Sequence, residues 1–467
     1  MCVYGLEFKM NKRRPLAIYH AFDMKYVDVM AMMDEIVRDG YSHVQLSPSQ
    51  RSITESPKSD PKISKNEWWF RYQPVEFVIG NYYGSNDELY MLTQMAHKVG
   101  INVISDVCLN FVAELNKVSG KDWDDATQRK DHESLKKYNE LLNSSYPPFT
   151  IEDFKPRYRY DERSGRSVKQ WYMGNLPGLD MESPKVQGVH FKYLDDLVKT
   201  GIDGFRFDCA QWIHPHTMNK YFSNCKTQWS YMEVIEKHNV KRIQTYNNIG
   251  PVSDYTLGVT LGRIFSSKDI ALSDDLRKLD KTVVDDNVIF AVNHDTYHSK
   301  QSGLRLDFPD NIDRTTEVLA TVLTIVMKKG VPLVFRETAK DPLVKTAVRF
   351  RRLMNDLDAP NISVFCTDDI KIVGLARGNY GLCLMNIGRH IAKVNTIKDF
   401  PNGELSSLTD SESITIYNGK PNRYITIEPK SAKFYKISSV NTKNNTDRLF
   451  SILDFPPLSR STAAAKK

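Results

Sequence analysis

The chain has 467 residues, too many for one small core and enough for two or three domains. Its 41% hydrophobic and 26% charged residues are those of an ordinary soluble globular protein. The net charge of +7 is dispersed apart from the short runs NKRRP and AAAKK, and no zinc spacing or glycine–aromatic signature accompanies it, which argues against a nucleic-acid role.

In chain order, the N-terminal stretch MCVYGLEFKMNKRRPLAIYHAFD has no apolar segment followed by a small-residue cleavage site, so no secretory signal is read there. The expectation is an intracellular chain, with a secreted or virion-associated one left open. Candidate barrel strands are LAIYH (16–20), HVQLS (43–47), NVISDV (102–107), DGFRFD (203–208), WSYMEV (229–234), VSDYTL (252–257), VIFAVN (288–293) and VPLVF (331–335). Helical patterns intervene at 27–40, 85–100 and 314–330, each ending in glycine. The most apolar run, VLATVLTIVM (318–327), is half the ~18–20 residues needed to span a bilayer and reads as a core helix. Eight strands with polar residues at their C-terminal ends predict a (β/α)8 barrel over 14–111 and 181–341.

Two parts break the alternation. Residues 112–180 form a charged, aromatic insertion after the third strand, with a helical stretch at 121–139 and a hairpin around Ser164 and Gly165. From 342 to 438 short β-like runs predict a separate all-β sandwich domain, and 439–467 has the composition of a flexible tail. Cys2, Cys108, Cys209, Cys225, Cys366 and Cys383 lack CxxC spacing and read as reduced thiols.

Strand ends in such a barrel face one mouth. They supply Asp106, Asn110, Arg206, Asp208, Glu233, His294 and Asp295. Any one of these alone is best read as a cap or ion-pair partner. Four strand ends agreeing at once point to a site where carboxylates converge on one reacting group.

DVCLNF (106–111), GFRFDCAQW (204–212), YMEVIE (231–236) and FAVNHD (290–295) resemble, in order, the four signature stretches of the alpha-amylase family of glycoside hydrolases. YHAFDMKYVD, GYSHVQLSP, WWFRYQPVEF (68–77) and YGLCLMN extend the likeness to the animal type, over about residues 14–437. The resemblance implies that Asp208 is the nucleophile and Glu233 the acid and base, their carboxyls ~5–5.5 Å apart as retention requires. Asp295 and His294 would hold the sugar, Arg206 would keep Asp208 ionised, and Asp106, Trp68, Trp69, Tyr72 and Gln73 would complete the substrate surface. For the aromatic residues a core cluster is the competing reading.

In the animal type a chloride ion is also implied, held here by Arg206, Asn293 and Arg336, and it would raise the Glu233 pKa. For Arg336 an ordinary ion pair with a loop carboxylate is equally open. Calcium is implied at Asn110 and the carbonyl of residue 212. However, Gly178 stands where the family places a carboxylate, with Asp180 in a shifted loop the disfavoured substitute, so weak calcium binding or none is expected. Phe111, Gln211 and Trp212 also depart from the family pattern and remove sugar contacts. The leading expectation is a retaining hydrolase of α-1,4-linked starch- or glycogen-type glucans with an α-glucan partner, no nucleic acid and no membrane. A transglycosylase and a carbohydrate-binding scaffold without turnover are the alternatives.

Overall fold

Short runs such as GFRF and NVISDV alternate the two faces of a pleated strand. In the computed structural model of the chain they form one parallel sheet. The structure describes residues 14–55, 67–113, 149–155, 158–161, 166–169, 176–236, 239–266, 279, 282–298, 313–357, 359, 362–366, 371–397 and 400–438. In ring order the strands are Val288–Ile289, Val331–Phe335, Ile18–Ala21, His43–Leu46, Asn102–Val107, Gly204–Phe207 and Tyr231–Met232. Two isolated parallel bridges, Met232 to Val252 and Ser253 to Val288, join the two ends. The ring is thus the expected barrel, its sixth position reduced to two residues.

The strand expected over 252–257 stops there for a local reason. Asp254 Oδ1 accepts the backbone N–H of Leu257 at 3.1 Å, and a helix runs from Tyr255 to Ser266. The runs 229–234 and 288–293 are likewise longer than the strands they contain, whereas Asn102–Val107 and Val331–Phe335 are as expected.

The alternation sorts side chains between two compartments. Val103, Val107, Phe205, Phe207 and Met232 join the large core between strands and helices. Ile18, Ile104, Tyr231, Val288 and Leu333 fill the barrel interior. Arg206 and Asp208 share the inward parity of the fourth strand, so the opposite charges in GFRFD lie along the barrel axis and not among the helices.

The helix expected over 27–40 is two helices, Tyr26–Ala31 and Met33–Asp39, interrupted at Met32 and stopped by Gly40 at φ 97°. Asn86–Lys98 opens on a capping box between Ser85 and Glu88, and Arg314–Val326 on an Asp313 cap. The β region expected from residue 342 instead starts with a helix, Pro342–Asp356. Its buried Arg351 donates to the carbonyls of Leu16 and Met327, and to those of Ile325 at 3.0 Å and Gly330 at 2.8 Å. That cation ties the helix to the barrel, so the antiparallel part begins at Ile362.

Beyond it, a seven-stranded antiparallel sheet carries a two-stranded sheet, Ala392–Val394 with Ile425–Ile427, on one face. Ile372, Leu382, Leu384, Leu405, Ile414 and Tyr435 form the core between them. The opposite face, with Val373, Leu375, Cys383, Met385 and Phe434, merges with the main core.

Of the insertion, Tyr158–Asp161 pairs antiparallel with Arg166–Lys169 as the expected hairpin. The helical stretch at 121–139 and the tail at 439–467 lie outside the described residues. Cys108, Cys209, Cys225 and Cys383 are free thiols, as expected. Among the described residues no helix is long and apolar enough to cross a membrane.

Candidate active site

Arg206 projects from the fourth strand into the barrel mouth and gathers the acids. Its Nη1 donates to Asp106 Oδ2 at 3.0 Å and Asp208 Oδ1 at 2.9 Å; its Nη2 donates to Glu233 Oε1 and lies 3.9 Å from Asp295 Oδ2. One oxygen of Asp208 and one of Glu233 lie within 4.8 Å of each other. Residues separated by up to 189 positions thus meet at one point (Asp106 to Asp295).

Further elements hold these acids in place. Asp106 accepts from Gln45 Nε2 at 2.8 Å and Tyr72 OH at 2.7 Å, and Gln45 in turn accepts from Tyr231 OH at 2.6 Å. Glu233 Oε2 accepts the backbone N–H of Cys209 at 2.9 Å. Cys209 sits at φ 51°, a left-handed conformation costly for a side-chain-bearing residue, and this turn aims its N–H at the acid. Tyr255 OH lies 3.1 Å from Glu233 Oε1 and 3.3 Å from Asp295 Oδ2, and accepts from Asn293 Nδ2 at 2.9 Å.

The electrostatics follow from burial. Asp208, Glu233 and Asp295 are 7%, 2% and 6% exposed. Loss of hydration is the largest influence on each and favours the neutral acid. Asp106 is pushed up to about 7, against the pull of Arg206. Burial and then the Glu233 charge raise Asp208 to about 6, outweighing Arg206. Arg206 opposes this rise and favours the ionised form of Asp208, although its one charge is shared among four acids. Asp295 also rises to about 6, and Glu233 is raised, again chiefly by burial.

The aromatic surface is closed over these acids. Trp68 and Tyr72 are buried with Phe22, Phe111, Leu176 and Phe335, which is the core-cluster alternative. The His294 ring packs near-parallel to those of Phe22, at 4.4 Å, and Tyr72, at 5.5 Å. Its Nδ1, both nitrogens of His20 and Trp68 Nε1 have no partner among the described residues. Trp69 packs edge-on against Trp68 and is half-buried; Gln73 ends the same short helical turn, and no described hydrogen bond joins it to the acids.

The departures also have places. Phe111 joins the aromatic cluster and bridges to Gly178. Gln211, with its amide oriented to satisfy both ends, donates to the Glu233 carbonyl at 2.7 Å and accepts from Trp212 Nε1 at 3.2 Å. Trp212 is 40% exposed, with the Arg242 guanidinium 5.2 Å from its ring centroid.

The residues named for chloride do not fit one. Arg336 donates to the Asp23 carbonyl at 3.1 Å and pairs with Glu337 at 3.3 Å, while the Asn293 amide is spent on Tyr255. Arg206 already faces an excess of carboxylates, which a further anion would increase.

Nor do the residues fit calcium. Asn110 Oδ1 accepts from Lys155 Nζ at 2.9 Å, and the Gly178 carbonyl accepts the Lys155 N–H at 2.9 Å. A hard dication needs several free oxygens, carboxylates among them.

Gln45, Tyr231 and Tyr255 are site residues that strand-end reading missed. A glutamine at an inward strand position was a usable signal; Tyr255 was hidden inside the supposed sixth strand.

A profile described as the alpha amylase catalytic domain matches residues 40–329. Among curated proteins the chain is similar to an alpha-amylase of Hypothenemus hampei, 25% identical over 311 residues, covering 62% of this chain and 58% of that protein. It is also similar to an alpha-amylase-related protein of Drosophila auraria (24% over 291 residues, 57% and 54%) and an alpha-amylase of Pecten maximus (24% over 311 residues, 61% and 57%). The chain thus spans little more than half the length of these relatives. Among solved structures, alpha-amylase I of Eisenia fetida, in complex with maltohexaose, superposes with a TM-score of 0.69 at 14% identity, covering 91% of this chain and 97% of that one. The Geobacillus thermoleovorans alpha-amylase, complexed with acarbose, gives 0.65 at 17% identity, covering 91% and 98%. These likenesses carry the fold. With its ring of eight strand positions, its antiparallel C-terminal sheet and its profile match over more than half its length, the chain belongs to the alpha-amylase family, with insect and scallop members among its relatives.

Proposed function

We propose that this chain is a retaining glycoside hydrolase acting on α-1,4-linked glucans. The observation that carries this reading is the approach of Asp208 and Glu233 oxygens to within 4.8 Å, from adjacent strands. That separation suits double displacement and leaves no room for the intervening water of an inverting enzyme.

Asp208 attacks the anomeric carbon and forms a glycosyl ester as the glycosidic bond breaks. Glu233, whose pKa burial raises in favour of the acid form, gives its proton to the departing oxygen. It then takes a proton from the water that cleaves the ester. Asp295 and His294 hold the sugar ring, and Arg206 offsets the negative charge of the empty site. The glucan class is supported by the maltohexaose and acarbose complexes of the two structural neighbours.

One observation favours a second reading, a carbohydrate-binding scaffold. The three acids are almost inaccessible, and both oxygens of Glu233 are already engaged, Oε1 by Arg206 and Tyr255 and Oε2 by the Cys209 N–H.

A product profile on maltoheptaose, run beside Asp208→Asn, separates the readings. Shorter oligosaccharides that vanish in the variant support the hydrolase. Products longer than maltoheptaose mark transfer in place of hydrolysis. Binding without products identifies the scaffold.

A further inference from the structure

We infer that Lys155 is a built-in cation that fastens the insertion to the barrel, so that this fold needs no calcium. The two strips it joins are far apart in sequence. Asn110 follows the third barrel strand; Lys155 and the 176–180 stretch belong to the insertion. Its ammonium donates to Asn110 Oδ1 at 2.9 Å, and its backbone N–H donates to the Gly178 carbonyl at 2.9 Å. Leu179 N–H returns to the Asn110 carbonyl at 2.9 Å, and bridges pair Phe111 with Gly178 and Phe154 with Leu179. Burial lowers the Lys155 ammonium to about 8, a shift that the negative charge of Asp180 opposes, while Asp180 Oδ1 accepts the Glu182 N–H at 3.0 Å.

The chemistry of the donors decides between ion and side chain. A neutral amide oxygen and a carboxylate already holding an N–H are a poor set for a hard dication. They are a good set for an ammonium, which carries one charge and directs its three N–H groups at separate acceptors. Gly178 has no side chain to add a second carboxylate, and Lys155 is held in place by the same short strip that supplies the Asp153 contacts. Asp153 accepts from Ser183 Oγ at 2.8 Å and from Thr150 N at 2.7 Å, and pairs with Lys185 at 3.3 Å. The fastening therefore extends from the barrel rim to the start of the helix Pro184–Thr200. Leu176 and Phe111, at its other end, belong to the aromatic cluster over the acids. This inference stands independently of any hydrolase activity, because its readouts are stability and metal binding.

The test melts the full chain with calcium and with a chelator, titrates it with terbium, and repeats the melt on Lys155→Met. That variant keeps the length of the side chain and removes its charge. The expected results are equal wild-type midpoints with calcium and chelator, no sensitised terbium emission, and a midpoint lower by about 4 °C or more in the variant. Hydrogen exchange across 176–182 should rise at least about tenfold in Lys155→Met, a local effect that general destabilisation would not confine there. A chelator-induced fall in the wild-type midpoint, stoichiometric terbium binding, or a variant melting like wild type each overturns the inference. Should Lys155→Met fail to fold, the wild-type chelator and terbium arms decide the matter alone.

Discussion

Arg206 holds one positive charge among four buried carboxylates, and this imbalance governs what single side chains do at the site. Burial holds Asp106 at about 7 in the fold, against an ordinary 3.8. Between about pH 4 and pH 7 the folded state therefore keeps a proton that the unfolded chain releases, and this group's contribution to stability falls as pH rises. Asp208 and Asp295, raised to about 6, act in the same direction. Buried His20, His43, His190 and His294, all lowered by burial, act in the opposite one, since the unfolded chain takes up their protons below about pH 6.5. The effect is consequently read as a difference. Relative to wild type, Asp106→Asn gains stability as pH rises from about 4.5 to about 7.5, measured by urea midpoints. A gap that stays constant with pH would count against the assignment. The same excess of negative charge bears on chloride. With Arg336 turned to Asp23 and Glu337, exchanging chloride for gluconate should leave the pH–rate profile in place. A displaced optimum would mean that an anion competes for Arg206.

At the scale of elements, what was legible depended on how many residues each strand commits to pairing. Asn102–Val107 and Val331–Phe335 pair along their whole lengths, and their apolar runs state them plainly. VSDYTL looks as good a strand, yet only Val252 and Ser253 pair before Asp254 caps a helix. The cap was visible as an aspartate, but apolar alternation around it outweighed the signal. The acids at strand ends were legible because barrel geometry sends them all to one mouth. Tyr255 and Lys155 were not, because one lies in a helix and the other in an insertion whose path no periodicity encodes. Strand packing also sets a sharp limit at Gly204. A Cβ there would fall 2.0 Å from the Trp229 carbonyl oxygen, a backbone atom of the segment leading into the next strand. Gly204→Ala should thus push the fourth and fifth strands apart, at a cost of about 1–3 kcal/mol or more, and carry Arg206 and Asp208 away from Glu233. A lowered urea midpoint together with reduced turnover is the expected pair. Normal stability would show that the strands separate without penalty.

For the molecule as a whole, the C-terminal sheet acts as a wall of the barrel's own core. Its strands alternate faithfully: Leu382 and Leu384 face the small sheet, whereas Cys383 and Met385 face the main core. Phe434 meets Phe350 of the helix Pro342–Asp356 with ring centroids 5.7 Å apart. A Cβ at Gly381 would fall 2.3 Å from Met354 Sδ, so the sheet and the helix are in close contact along this seam. Arg351 on the same helix reaches the opposite side and binds carbonyls at the base of the barrel. The helix is thereby fixed from both sides, and loss of either neighbour leaves apolar surface exposed. Truncating Phe434 to alanine should cost about 3–5 kcal/mol, as for other buried aromatic side chains. Because the two parts share one core, the loss should lower a single calorimetric transition that near-ultraviolet circular dichroism and far-ultraviolet circular dichroism report together. A separate early transition, with the barrel melting at its original temperature, would mean that the sheet is an appended module and that the seam at Phe350 and Phe434 contributes little to the barrel.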